Sequence, residues 1–223
     1  MINSIDIIKK VAKENSNIEY LNFYEFKSYE LIQDRINLNE EPLKNVFSNA
    51  LVLRDEYSLP FWDSFNVSLF GKKINNYTFL KEINFHNSSS DKIVLRKDDF
   101  IKNDVSFIKY TGFSSKINSG TSDLHIPLLD FHIPTSDENQ NICLNILLHL
   151  NLKGYLLNSG KSYHFIGKGL VSYEQLQNIL FNALLFSPII DKSWIAHQLI
   201  QRYCCLRVSK KYERLPFLVE EMP

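Results

Sequence analysis

HIPLLDFHI at residues 125–133, followed after a helix-length gap by YLLNSGKSYHFIG at 155–167, is the stretch on which the fold of this chain turns. The first run is β-compatible and stops at Pro134, which cannot continue a ladder. Ser136 or Asp137 then caps a helix carrying Ile142, Leu144, Leu147, Leu148 and Leu150 at helical spacing. Gly154 reads as the helix stop, YLLN as a short strand, Ser159-Gly160 as a turn and SYHFIG as the returning strand of a hairpin. Ser172 caps a further helix to about Phe186, Pro188 stops it, Asp191 opens another through SWIAHQLIQRY, and CCLRVS is a last strand. The order is β-α-β-β-α-α-β, which predicts an α+β fold with a ferredoxin-like or RRM-like sheet over residues 114–223.

Upstream the pattern is less regular, and residues 1–113 are expected to form an α/β region, either a separate part or a piece of the same core. From Ile5 to about Asn37, apolar residues at mixed three-and-four spacing predict helix broken near Asn15 to Asn17. Leu43 to Leu53 reads as helix; Phe65–Phe70, Lys92–Arg96 and Val105–Tyr110 lean toward strand, and Asn87–Asp91 is the most loop-like stretch. FSSKINSGTSD, from Phe113 to Asp123, reads as a small, polar, mobile segment.

The composition excludes several classes. Lys+Arg and Asp+Glu are each 25, so no global basic field marks a non-specific nucleic-acid coat, and any such contact must be local. One basic cluster qualifies, Arg202, Arg207, Lys210, Lys211 and Arg214. Cys143, Cys204 and Cys205 are an odd set without metal-ligand spacing, which argues against a disulfide framework or zinc finger and fits a reducing cytoplasm. No stretch approaches the roughly 18 apolar residues of a membrane span, so a soluble cytoplasmic protein without a membrane partner is expected.

Alternation along a strand places Asp130 and His132 on one face, where both can reach one ion. The same alternation joins Ser162 to His164, directly after the small cationic turn Asn158-Ser159-Gly160-Lys161. Turn amides, an ammonium, a hydroxyl and an imidazole all donate to phosphate oxygens, so this hairpin suits a triphosphate. Asp191, after Ile189-Ile190 and before a helix, suits an N-cap and remains able to bind metal. The echo of Asp123-Leu-His125-Ile-Pro127 in Asp130-Phe-His132-Ile-Pro134 has odd spacing, so at most one pair enters a shared site.

LLDFHI, GKSYHF and IID, in this order, resemble the three motifs of the archaeo-eukaryotic primase-polymerase superfamily: an apolar-Asp-x-acid strand, Ser-x-His on a hairpin strand, and an apolar-Asp. LRVSKKYERLP is similar to the segment that closes that family's core sheet, so the resemblance spans roughly Ser122 to Pro216. It implies a primase-like catalytic core in which Asp130 and Asp191 are metal-binding carboxylates and His132 takes the second acidic position. Ser162 and His164 would bind the phosphates of an incoming nucleotide, with Lys161 and Arg207 as auxiliary cations. The implied activity is metal-dependent nucleotidyl transfer from nucleoside triphosphates to single-stranded or primed nucleic acid; the alternative is a nucleotide- or nucleic-acid-binding module that has lost the metal pair. A helicase, nuclease or other protein partner is expected to act with it. The departure is His132, because imidazole brings one nitrogen and no charge, which moves preference from Mg²⁺ toward Mn²⁺. Asp123, Asp137 and Glu138 are the acids left to complete such a site.

Overall fold

The computed structural model describes residues 1–26, 43–59, 61–68, 91–107, 110–119, 122–210 and 214–223. Along the chain these form α1 (Ser4–Glu14), β1 (Tyr20–Phe26), α2 (Leu43–Tyr57), α3 (Phe61–Ser68), β2 (Asp91–Arg96), α4 (Lys97–Lys102), β3 (Tyr110–Ser114), β4 (Lys116–Ser119) and β5 (Ser122–His125). They continue with β6 (Leu128–Asp130), α5 (Asp137–His149), β7 (Gly154–Asn158), β8 (Tyr163–Gly167), β9 (Val171–Ser172), α6 (Tyr173–Ala183), α7 (Lys192–Gln201), β10 (Cys205–Arg207) and β11 (Phe217–Met222). Two compact units result, one of Met1–Phe26 with Ser90–Pro223 and one of Lys27–Ser89. In the second, α2 and α3 pack with the Phe47 and Phe65 rings 4.9 Å apart.

The larger unit is α+β, with two antiparallel sheets. In the four-stranded sheet the order is β11-β7-β8-β6, and in the seven-stranded one β10-β3-β1-β4-β5-β9, with β2 along the other edge of β1. In the four-stranded sheet, Leu128 faces Ile166, Leu129 faces Phe165 and Asp130 faces His164. Paired residues share a face, so Leu129, Phe165 and Leu156 form one buried row. Tyr163, on that same side, both donates to the Ser136 carbonyl at 2.8 Å and accepts from the Ser136 amide at 3.0 Å, which fixes the start of α5. The helix caps follow the sequence closely: Ser136 caps α5, Ser172 with Gln175 makes a capping box on α6, and Asp191 caps α7.

β6 is short, yet the chain beyond it remains extended. Phe131 bridges Ile190 antiparallel, the His132 amide donates to the Ile189 carbonyl at 2.7 Å, and the Asp191 amide donates to the Asp130 carbonyl at 3.2 Å. Segment 189–191 thus lies along the outer edge of β6, opposite β8. The strand at CCLRVS is present as β10, but it pairs with β3 in the seven-stranded sheet. β11 was not legible in the sequence; it adds beside β7, and the first residues of the chain are bound to it through the Ser4 and Leu218 amides.

Four expectations are corrected. Tyr20–Phe26 is a strand, because Leu21 and Phe23 alternate inward with half-buried Tyr20 and Tyr24, a period of two that the mixed spacing disguised. Phe23 meets Phe100, Phe107 and Phe113 at 5.4, 4.9 and 5.4 Å between ring centroids, a cluster that local sequence cannot disclose. Phe61–Ser68 is helical where a strand was read for Phe65–Phe70, and Val105–Phe107 is irregular ahead of β3. Within the segment from Phe113 to Asp123, the described residues 113–119 and 122–123 form strands around a buried Ser115, whose hydroxyl accepts from the Cys204 amide at 2.8 Å and bonds His125 Nδ1 at 3.1 Å, and residues 120–121 lie outside the described residues. Small polar residues are buried here because their polar atoms are partnered. The expected helix from 27 to 37, residues 69–70 and most of the loop-like stretch 87–91 lie outside the described residues.

Asn151, at φ 52°, ends α5, so Gly154 is needed for another reason. A Cβ at Gly154 would run into the Ile166 carbonyl oxygen and the Phe165 ring. Gly154→Ala is therefore expected to lower unfolding free energy by about 1–3 kcal/mol, whereas Gly169→Ala, with open space around it, shifts it by less than about 0.5 kcal/mol. Urea denaturation of the two variants checks this.

His125 gives a second test. It is buried in the fold, and burial, reinforced by the Lys116 charge, lowers its pKa from 6.5 to about 4. Below pH 6.5 the unfolded chain takes up a proton that the folded chain refuses, so stability is full above that pH and falls as the pH drops toward about 4. The loss approaches roughly 3 kcal/mol at about 1.4 kcal/mol per pH unit. His125→Gln removes this component of the slope, which denaturation midpoints across the pH range measure.

Candidate functional site

Backbone register brings the three motifs together. Asp130 faces His164 across β6 and β8, and counting from the Phe131–Ile190 bridge it also stands opposite Asp191. His164, Asp130 and Asp191 therefore occupy one row across the sheet. The imidazole Nε2 of His164 lies 3.5 Å from Asp130 Oδ1, with the histidine buried and the aspartate partly exposed. Asp191 is half-buried, and its Oδ1 accepts from the Trp194 amide at 2.9 Å. Its negative charge also acts on His197, whose pKa burial pushes down. His132, two residues beyond Asp130, is exposed.

The turn before β8 has the geometry that its glycine demands. Gly160 sits at φ 108°, and its amide donates to Asn158 Oδ1 at 2.8 Å, a conformation that favours glycine. The Ser159 amide donates to the Ser162 carbonyl at 2.9 Å, which closes the loop and leaves Lys161 exposed at its tip. Ser162, expected to donate to phosphate, has a backbone role in this fold. Its hydroxyl donates to the Phe131 carbonyl and accepts from the Ile133 amide at 3.2 Å, so it holds the 131–133 segment against the hairpin after the β6 ladder has ended.

Arg207 reaches this site from the other sheet. Its guanidinium donates to the Ser159 carbonyl at 2.5 Å and to the Ser209 carbonyl at 2.6 Å. Burial lowers its pKa, while the charges of Tyr110 and Asp130 act in the opposite direction. Arg207 is thus a tie between β10 and the Asn158–Lys161 turn as well as a cation beside Asp130. No sequence signal pointed to Ser159 as its partner, because the contact joins residues 48 apart through a backbone carbonyl.

Two carboxylates, Asp130 and Asp191, with the imidazole of His132 nearby, are in kind a donor set for Mn²⁺ or Mg²⁺. Their side chains are not gathered: among the described residues no three His, Cys, Asp or Glu groups are placed to hold one ion. The other acids do not close the gap, since Asp123 pairs with Lys116 at 3.0 Å on β4 and β5, and Asp137 and Glu138 lie in the exposed first turn of α5. His125, the echo of His132, is bound to Ser115 in the other sheet. A cavity of about 290 Å³ lies between the end of α5 and α6, lined by His149, Leu150, Ile179 and Phe186 among others. It contains none of the motif residues, and the polar row around Asp130 has the better claim to chemistry because three motifs converge there.

Residues 102–220, just over half of the chain, match the family model described as archaeo-eukaryotic primase 1D-like. No curated protein and no solved structure matches the chain. The matched segment begins at the end of α4 and runs into β11, so it takes in the four-stranded sheet and every motif residue named above.

Proposed function

The chain belongs to the archaeo-eukaryotic primase 1D-like family, and from that premise we propose that its Asp130–His164 centre binds a nucleoside triphosphate and adds nucleotides to a primer on a nucleic-acid template. The observation that carries this reading is the single cross-sheet row of His164, Asp130 and Asp191, one residue from each family motif. The path β6, α5, β7, β8, α6 and the extended segment 189–191, in spatial order β7-β8-β6-189/191, reads as an RRM-like core with β11 added at its edge.

In this reading His164 and Lys161 meet the triphosphate, and Arg207 holds the turn that carries Lys161 while adding positive potential near Asp130. Asp130 and Asp191, with His132, would hold Mn²⁺ or Mg²⁺, which when bound supplies activation of the primer 3′-hydroxyl and neutralisation of the leaving pyrophosphate. Exposed Arg202, Lys210 and Arg214 offer a local basic patch for the template backbone; Lys211 lies outside the described residues. A helicase, nuclease or other protein would act with it in the cytoplasm, and strand separation would come from a partner. Among the described residues no helix is long and apolar enough to cross a membrane.

A second reading, nucleotide or nucleic-acid binding without transfer, is favoured by one observation: no three donor groups are gathered at Asp130, and the Asp191 carboxylate caps a helix. Primer extension on a single-stranded template, with dNTPs or NTPs and either Mn²⁺ or Mg²⁺, separates the two. Nucleotidyl transfer predicts extension that falls to background in Asp130→Ala, and nucleotide affinity that falls roughly ten-fold or more in His164→Ala. His132→Asp should raise Mg²⁺-supported extension; unchanged Mg²⁺ activity would mean that another acid completes the site. Nucleotide binding without extension under either ion selects the binding module.

A further inference from the structure

The seven-stranded sheet carries a pattern that the nucleotide centre does not use. In β1 the residues Leu21 and Phe23 point into the core, and Tyr20 and Tyr24 share the opposite face on either side of Asn22, which is buried and donates to the Lys116 carbonyl at 2.8 Å. The register partners of Tyr20, Asn22 and Tyr24 on β2 are Arg96, Val94 and Lys92 in turn, and all three partners are solvent-exposed. Each half-buried tyrosine thus stands directly opposite a cation, at two positions four residues apart, which is about 13 Å along a strand. The Tyr24 ring is held by stacking on Tyr203, with centroids 5.3 Å apart and planes within 15°.

The register also links this ladder to the nucleotide centre. Lys92 faces Tyr24, Tyr24 faces Gly112, and Gly112 faces Arg207, so one row crosses four strands and ends at the guanidinium that binds the Ser159 turn. We propose that this face of β1 and β2 is a landing surface for single-stranded nucleic acid, with bases stacking on Tyr20 and Tyr24 and phosphates neutralised by Lys92 and Arg96. The inference rests on the primase-type reading for the destination of the strand; the row itself passes through buried Gly112 and ends at Arg207, on which the Asp130 charge acts.

The physical case is complementarity. A tyrosine face accepts any base but only from a strand whose bases are unpaired, because a duplex keeps its base faces covered. A row of cations one strand away supplies sequence-independent attraction to the backbone of the same strand. Cross-strand Tyr–Arg and Tyr–Lys pairs also support a sheet edge by packing alone, and that role makes no demand on a polyanion. The two roles differ in what salt and ring removal do.

The test is fluorescence anisotropy of labelled oligothymidine with the full chain, across a salt series, beside ATP binding. Tyr24→Leu should weaken oligothymidine binding by about ten-fold or more, Tyr24→Phe should retain it, and ATP affinity should stay at the wild-type value in both. Lys92→Gln with Arg96→Gln, both at exposed positions, should lower the salt slope by about one to two with an unchanged thermal midpoint. Wild-type oligothymidine affinity and salt slope in the Lys92 and Arg96 double variant would overturn the proposal, as would a wild-type protein that binds no single strand. Loss of ATP binding in Asp130→Ala and His164→Ala is read separately, so the landing surface fails without deciding the nucleotide centre, and the reverse.

Discussion

Asp130 has an extended neighbour on each side, His164 on β8 and Asp191 on the segment after α6. That double pairing is the constraint from which the functional region follows. One neighbour comes from a hairpin and the other from the far end of a helix, so the row can form only if α5 and α6 pack on the same face of the sheet and return the chain to its edge. The buried residues do this: Leu129, Phe165 and Leu156 make the helix-facing row, and Cys143, Ile146, Leu147, Leu176 and Leu180 are buried on the two helices. Apolar packing therefore sets the register, and the register sets the polar row. A slip of one residue in β6 would send Asp130 to the helix side and bring Phe131 to the site.

Legibility followed the range of the forces involved. The segments Asp137–His149, Tyr173–Ala183 and Lys192–Gln201 were readable because capping and helical periodicity are local, and Ser136, Ser172 and Asp191 each cap as their spacing suggests. The pairing of Ser162-Tyr-His164 with the Leu-Asp strand was readable because a hairpin is also local. What failed depends on distant partners. Tyr20–Phe26 is a strand because β2 and β3 flank it, and those strands lie some seventy to ninety residues downstream. Phe113 to Asp123 looked like a linker because its serines are polar, but Ser115 meets Cys204 and His125, neither of which its own sequence announces.

The neutral overall charge conceals how charge is used. Some cations are spent on architecture: Lys10 and Lys168 both bind Glu221, at 2.9 and 2.8 Å, which ties α1 and the β8–β9 connection to β11. Others are exposed on a single face, as Lys92 and Arg96 are. Arg207 belongs with the architectural cations, since a half-buried guanidinium with two carbonyl acceptors is a structural tie, and the interaction with Asp130 makes that tie part of the local potential. Net charge predicts none of this, whereas register assigns each cation to an edge or a face.

Ser162 shows how a motif residue can have an architectural task before any chemical one. The bonding between β6 and β8 ends with the Phe131 amide, which donates to the Tyr163 carbonyl at 3.0 Å, and the hydroxyl of Ser162 serves the next two backbone groups on that side by donating to the Phe131 carbonyl and accepting from the Ile133 amide. An alanine there would leave those backbone groups without their partner and would loosen His132, which lies between them. With its one proton committed to Phe131, the serine can give a hydrogen bond to a phosphate only by releasing that carbonyl. Lys161, by contrast, is exposed at the tip of the turn. The hairpin thus separates the duties of its motif: Gly160 shapes the turn, Ser162 extends the strand beyond its ladder, and His164 is buried against Asp130.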